Sequence, residues 1–185
     1  MIPMYIIFAI LVIGVIIFIH SVSRLSKLEG AARNLNVDID TNIWDRGFQL
    51  SKMVKILSDM EISHDIDAPD ISGFTLGTPA GMQSLTAEKL DESAKRLMAV
   101  MEEHPDLKDN NEFSECYGKF VKDRLEMTQN SLKYNKAVSA YNGYISHIPG
   151  SIAASIGKKR DMIQFTYFFT ELKPNTGGNN ESTGN

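Results

Sequence analysis

Apolar residues fill the start of the chain without interruption. Residues 1–23, MIPMYIIFAILVIGVIIFIHSVS, contain no Lys, Arg, Asp or Glu. At ~1.5 Å per helical residue the run from Ile2 to Val22 spans roughly 31 Å, the hydrocarbon thickness a transmembrane helix must cross. Pro3 stands where a first-turn proline is tolerated. Ser21 and Ser23 are small residues at signal-peptidase spacing, so a cleavable signal peptide is the rival reading. The length of the run, the lack of a preceding Lys or Arg, and a helical pattern that continues beyond it favour a membrane anchor over 1–23. Arg24, Lys27 and Arg33 follow the run, and positive-inside bias then places the body of the chain in the cytoplasm, as a single-pass protein of the cytoplasmic (inner) membrane.

Past the anchor the pattern becomes amphipathic. Leu28, Ala32, Leu35, Ile39, Ile43, Leu50, Val54 and Leu57 recur at three-, four- and seven-residue steps, one stripe on a long helix that grows directly out of the anchor. Gly30 and Gly47 are the places where it would bend. Residues 64–82, with two prolines and three glycines, read as a loop, long for a compact domain. A second helix is expected over Gln83–Glu103, with Leu90, Ala94, Leu97 and Met101 on its core face and His104-Pro105 ending it. A third opens at Asp109, with Glu112 three residues on as a capping box. Its seam of Phe113, Tyr117, Phe120, Arg124, Met127, Ser131, Tyr134, Val138, Tyr141, Ile145 and Ile148 alternates four- and three-residue steps, the spacing of a bundle interface. Pro149-Gly150 breaks it, and Ser151–Ile156 predict a short further helix. The aromatic cluster Phe165, Tyr167, Phe168 and Phe169 is expected to close one end of the bundle. The fold class is therefore all-α: a membrane-anchored antiparallel bundle of three long helices plus a short C-terminal helix. The anchor occupies 1–23 and the bundle domain 24–172; 173–185, with nothing apolar to bury, form a disordered tail.

Composition narrows the chemistry. About 160 residues after the anchor suffice for one domain. The net charge of -4 leaves no basic field for nucleic acid. The single cysteine, Cys116, forbids an internal disulfide and reads as a small core residue. His20, His64, His104 and His147 are scattered, and there is no HExxH, P-loop or nucleophile elbow. No catalytic, metal or cofactor residue is assigned. Arg124 lies inside an apolar seam, where an unpaired guanidinium is costly, so a buried network with Asp40 or Asp45 as its partner is expected.

The third helix carries the most specific pattern. Tyr134-Asn135-Lys-Ala-Val138-Ser-Ala-Tyr141-Asn142, followed by Ile145, Pro149, Ile152-Ala153 and Gly157, resembles the YNxxVxxYN…P..IA…G motif of the LemA family. Ile39-Asp40, Ile43, Arg46, Leu50, Met53 and Val54 resemble that family's IDxxLxxR…LxxLV pattern, and an N-terminal membrane segment completes the likeness. Asp40, Arg46, Tyr134, Asn135, Val138, Tyr141, Asn142 and Pro149 are thus the motif residues, expected to act structurally, with the amides holding helix register. The chain is similar to a divergent member. Gly47 and Ser51 depart from the pattern, and Arg124 and Ser131 stand where the family has glutamate and arginine. One divergent branch of the family is associated with magnetosomes.

The resemblance implies a cytoplasmic-membrane helical bundle with no established enzymatic activity and no cofactor. The leading expectation is a scaffold or protein-interaction module, not an enzyme, with the lipid bilayer and an unidentified protein as partners and self-association through apolar seams. The discriminating feature would be a contiguous exposed apolar patch. Two alternatives belong to other classes. One is a metal-dependent or hydrolytic enzyme using the His64–Asp70 loop with the helix-one aspartates, which requires those groups to converge. The other is a membrane-remodelling protein like the magnetosome relatives, which requires a basic or amphipathic surface near the headgroups.

Overall fold

The computed structural model describes residues 3–167. Among them are four α-helices: α1 (Met4–Asp59), α2 (Ala80–Glu103), α3 (Asn111–Ile145) and α4 (Gly150–Ile156), with a 3-10 turn at Pro105–Asp109 before α3. The expected tail at 173–185, the end of the domain at 168–172, and Phe168 and Phe169 lie outside the described residues.

α1 runs unbroken through Gly30 and Gly47, and at ~1.5 Å per residue its 56 residues reach roughly 84 Å. It is one helix long and apolar enough to cross a membrane, with a mean hydropathy of 2.8 in its most apolar stretch. Neither glycine interrupts it, and Gly47 has another use. A Cβ there would come within 2.7 Å of Ile71 Cδ1, so the missing side chain lets the loop's Ile71 nest on the helix.

α3 lies antiparallel to α1 along most of the length that follows the apolar run, tied by Asn130 Nδ2 donating to Asn42 Oδ1 (3.0 Å) and by Tyr144 Oη donating to Ser21 Oγ (2.9 Å). α2 shares α1's direction, because Gln83 meets Asn36 and Asp91 meets Arg46. This explains the long loop. The chain must travel back roughly 33 Å from the end of α1 to the level of Val37 before α2 can begin, at ~1.5 Å of axis per helical residue. The loop makes its return pinned rather than loose. Ile66 is buried, Ser93 Oγ donates to the Asp67 carbonyl (2.6 Å), and Arg96 Nη1 donates to the Asp65 carbonyl (2.9 Å).

The core joins Ile39, Ile43, Leu50, Met53 and Leu57 of α1, Leu90, Ala94 and Leu97 of α2, and Phe113, Phe120, Met127 and Val138 of α3. These are the stripes the periodicity marks, with two corrections at the ends of α3. Asn110, not Asp109, caps it, its side chain accepting from Phe113 N (3.0 Å), while Asp109 closes the 3-10 turn. The helix stops at Ile145, so Ile148 leaves the seam and stands exposed.

Residues 158–167 form no helix. They run back along α3 as an extended strap, and Phe165 is buried in the main core. The expected aromatic plug at one end of the bundle is replaced, for Phe165 and Tyr167, by this lateral strap.

Candidate functional site

Two polar constructions organise the bundle. The first centres on Asp91, buried on α2. Arg46 Nη2 donates to its Oδ1 (2.7 Å), Arg124 donates through Nε (3.0 and 3.1 Å) and Nη2 (2.8 Å), and Tyr167 Oη donates to Oδ2 (3.1 Å). One carboxylate therefore joins α1, α2, α3 and the strap. Arg46 is fully buried with its guanidinium 4.6 Å from the centre of the Phe120 ring, and its Nε and Nη1 have no hydrogen-bond partner among the described residues. Burial lowers its pKa, with Asp91 opposing that effect. The Tyr167 phenol is pushed up to about 12, first by burial and then by the Asp91 charge.

The expected partner of Arg124 is thus corrected. Asp40 is committed elsewhere: its Oδ2 accepts from Gly77 N (2.7 Å) and Thr78 N (3.1 Å), and its Oδ1 from Gln83 Nε2 (2.7 Å). It fixes the turn that starts α2, where Gly77 takes φ 90°, a conformation open to glycine and costly for other residues. Asp45 is exposed and, among the described residues, belongs to no such network. Asp91 was legible in principle, since it stands four residues after Ala87 and three before Ala94, on the buried stripe of α2.

The second construction is built by the motif on α3. Asn135 Nδ2 donates to the Phe165 carbonyl (2.8 Å) while its Oδ1 accepts from Phe165 N (2.8 Å). Asn142 repeats the pair with Met162, at 2.9 Å for each bond. Tyr134 Oη donates to the Ile163 carbonyl (2.7 Å) and Tyr141 Oη to the Arg160 carbonyl (3.2 Å). A primary amide carries one donor and one acceptor side by side, as a peptide edge does, so each asparagine pairs with backbone as a neighbouring strand would. The spacing follows from geometry. Seven helical residues rise roughly 10.5 Å, and three extended residues advance roughly 10 Å, so Asn135 and Asn142 fall in register with Phe165 and Met162. Val138, between them, packs into the core.

A family model described as LemA family matches residues 77–175. The chain belongs to the LemA family. No curated protein and no solved structure is similar enough to the chain to count as a match. The matched stretch of this LemA-family chain begins at the turn held by Asp40 and includes Asp91, both clamp asparagines and the strap. Pro149 stands at the turn before α4. The charge of Arg124 is met by Asp91.

The remaining candidates do not converge. Among the described residues no three His, Cys, Asp or Glu side chains are grouped to hold a metal ion. In the loop, Asp65 and Asp67 are exposed, and Asp70 accepts from Ser72 N (2.8 Å). Cys116 is buried, its thiol pKa raised first by desolvation. Between α1 and the end of the loop, however, an open groove of about 470 Å³ is lined by Asp40, Thr41, Trp44, Asp45, Phe74 and Leu76. Trp44 is 52% exposed and Leu76 75%. Burial, followed by the charges of Asp45 and Glu126, raises the pKa of Asp123, against the opposing charges of Lys122 and Arg46.

Proposed function

We propose that the protein is a single-pass scaffold of the cytoplasmic membrane, with residues 1–23 holding the bundle at the bilayer and the Trp44 groove receiving a protein partner. The observation that carries this reading is the groove itself. Isolated exposed apolar residues are ordinary, but Trp44, Phe74 and Leu76 share one concavity, and exposed aromatic anchors in concavities are what binding hot spots use. Asp45, exposed on its wall, favours a partner segment that places an apolar side chain in the groove and a basic one at the rim. The length and hydropathy of the start of α1 support the anchor. Arg24, Lys27 and Arg33 support a cytoplasmic bundle. The role is binding rather than catalysis: Asp40, the one carboxylate of the groove that is buried, has both oxygens satisfied by the fold.

The test is a photo-crosslinking residue at Thr41, on the groove wall, in the full-length protein in its native cells. A discrete protein adduct is expected, absent when the same residue stands at Lys133 and lost on Trp44→Ser with Leu76→Ser. An adduct pattern indifferent to those substitutions, or none at all, overturns the proposal.

A further inference from the structure

The end of the bundle nearest the apolar run carries an apolar surface that the fold leaves uncovered. Ile152 and Ile156, four residues apart on α4, are 49% and 67% exposed, and Ile148, in the turn just before, is 79% exposed. The opposite face of α4 is fully used. Ala153 and Ala154 are buried against Leu25 and Tyr141, with Phe18 and Leu28 packed on the same cluster. That cluster sets the height of α4 along α1, because Phe18 lies inside the apolar run and Ser21, bonded by Tyr144 Oη (2.9 Å), lies at its end.

Charge is arranged to match. Arg24 stacks on the Tyr144 ring, its guanidinium 5.0 Å from the ring centre. Lys27, Lys158 and Arg160 are exposed. Glu29, the acid at this level of α1, is neutralised by Arg33 (2.8 Å) and Lys159 (2.7 Å); Asp161 follows Arg160 in the chain. An exposed apolar face with a tyrosine and exposed cations at the same end of the bundle is the arrangement of an element that lies in a membrane interface, with its aliphatic side chains at the acyl boundary and its cations among anionic headgroups.

We propose that α4 is such an element: Ile148, Ile152 and Ile156 enter the leaflet on the bundle's side, and Arg24, Lys27, Lys158 and Arg160 meet the phosphates of anionic lipids. The inference rests on the anchor reading above. With two attachments, the pivoting anchor and α4, the bundle stands in one fixed attitude to the bilayer, and the Trp44 groove is held away from it. Trp44 lies about 33 Å along α1 from Val22 at ~1.5 Å per residue.

The single native tryptophan makes the test internal. The full-length protein is reconstituted in phosphatidylcholine–phosphatidylglycerol vesicles with or without bromine on the acyl chains. Fluorescence is compared for the wild type, for Trp44→Phe with Ile152→Trp, and for Trp44→Phe with Ile156→Trp. Brominated lipid is expected to quench the tryptophan at either α4 position by at least about half, and Trp44 in the wild type not at all, as follows from interfacial insertion. Protein that resists alkaline extraction from the vesicles yet shows no quenching at either α4 position overturns the α4 inference and leaves the anchor standing. Protein released by alkali overturns the anchor, and the inference with it.

Discussion

Asn135→Ala removes both bonds of one clamp pair, the 2.8 Å donation to the Phe165 carbonyl and the 2.8 Å acceptance from Phe165 N. A single intramolecular hydrogen bond contributes a net ~0.5–1.5 kcal/mol, and a backbone group left unpaired away from water adds to that. The two losses together are worth about 2–3 kcal/mol of local stability, which raises the opening constant of the strap roughly 30- to 160-fold. Because Phe165 remains buried in the core, the strap loosens without abandoning the bundle. The assay is residue-resolved amide hydrogen exchange on the full chain, which reads local opening directly. The Phe165 amide should exchange faster by that factor and the Met162 amide by less. Asn142→Ala should reverse the order. The double variant should fall short of the sum, since a strap lifted at one asparagine is already half released from the other. A change below about threefold at Phe165 would refute the reasoning, because the burial of Phe165 would then hold the strap and the asparagines would add nothing beyond the hydrogen bonds water can supply.

Other expectations concern the network and the ends of α4. Asp91→Ala leaves two guanidinium groups without their shared carboxylate and should cost about 3–5 kcal/mol in denaturant unfolding, whereas Asp45→Ala, at an exposed position, should stay within about 0.5 kcal/mol of the wild type. A Cβ at Gly150 would overlap the Tyr144 carbonyl oxygen, so Gly150→Ala should displace α4 from α1 and expose Ala153 and Ala154 to exchange. The hydrogen bond from Lys159 holds the Glu29 carboxyl below its ordinary value, against the push of burial and with help from Arg33. Its contribution is present above the ordinary value of 4.5 and is lost as the pH falls through the lower folded value. Protection of the 158–160 amides, measured against their intrinsic exchange rates at each pH, should fall over that acid range in the wild type and show no such step in Glu29→Gln.

Much of this architecture is written in periodicity. The stripes of α1 and α3, the loop between α1 and α2, and the break at Pro149 all follow from spacing and from the two residues that punctuate helices. What periodicity does not carry is pairing. Arg124 is visibly in need of a carboxylate, but three helices offer candidates, and only the register of α2 against α1 decides that Asp91 and not Asp40 supplies it. The strap was hidden for a related reason. The hydrogen bonds from Tyr134 and Asn142 run from α3 side chains to its backbone, a pairing that asks for no pattern in its own residues, and an aromatic-rich segment reads as a plug. The regular half of the clamp was in view throughout, as Tyr134-Asn135 and Tyr141-Asn142 on one face; the backbone they hold has no sequence of its own to betray it.

The proposed attachment of the helical bundle to the cytoplasmic face of the membrane, where its groove can meet a partner, is open to direct measurement. The direct measurement places a cysteine at Ser58, exposed near the far end of α1, in a Cys116→Ser background, and treats cells with a thiol reagent that cannot cross the inner membrane, the outer envelope having been made permeable. The expected result is a protein that resists alkaline extraction and is labelled only after lysis. Labelling with the inner membrane sealed would put the bundle on the opposite side and contradict the proposal.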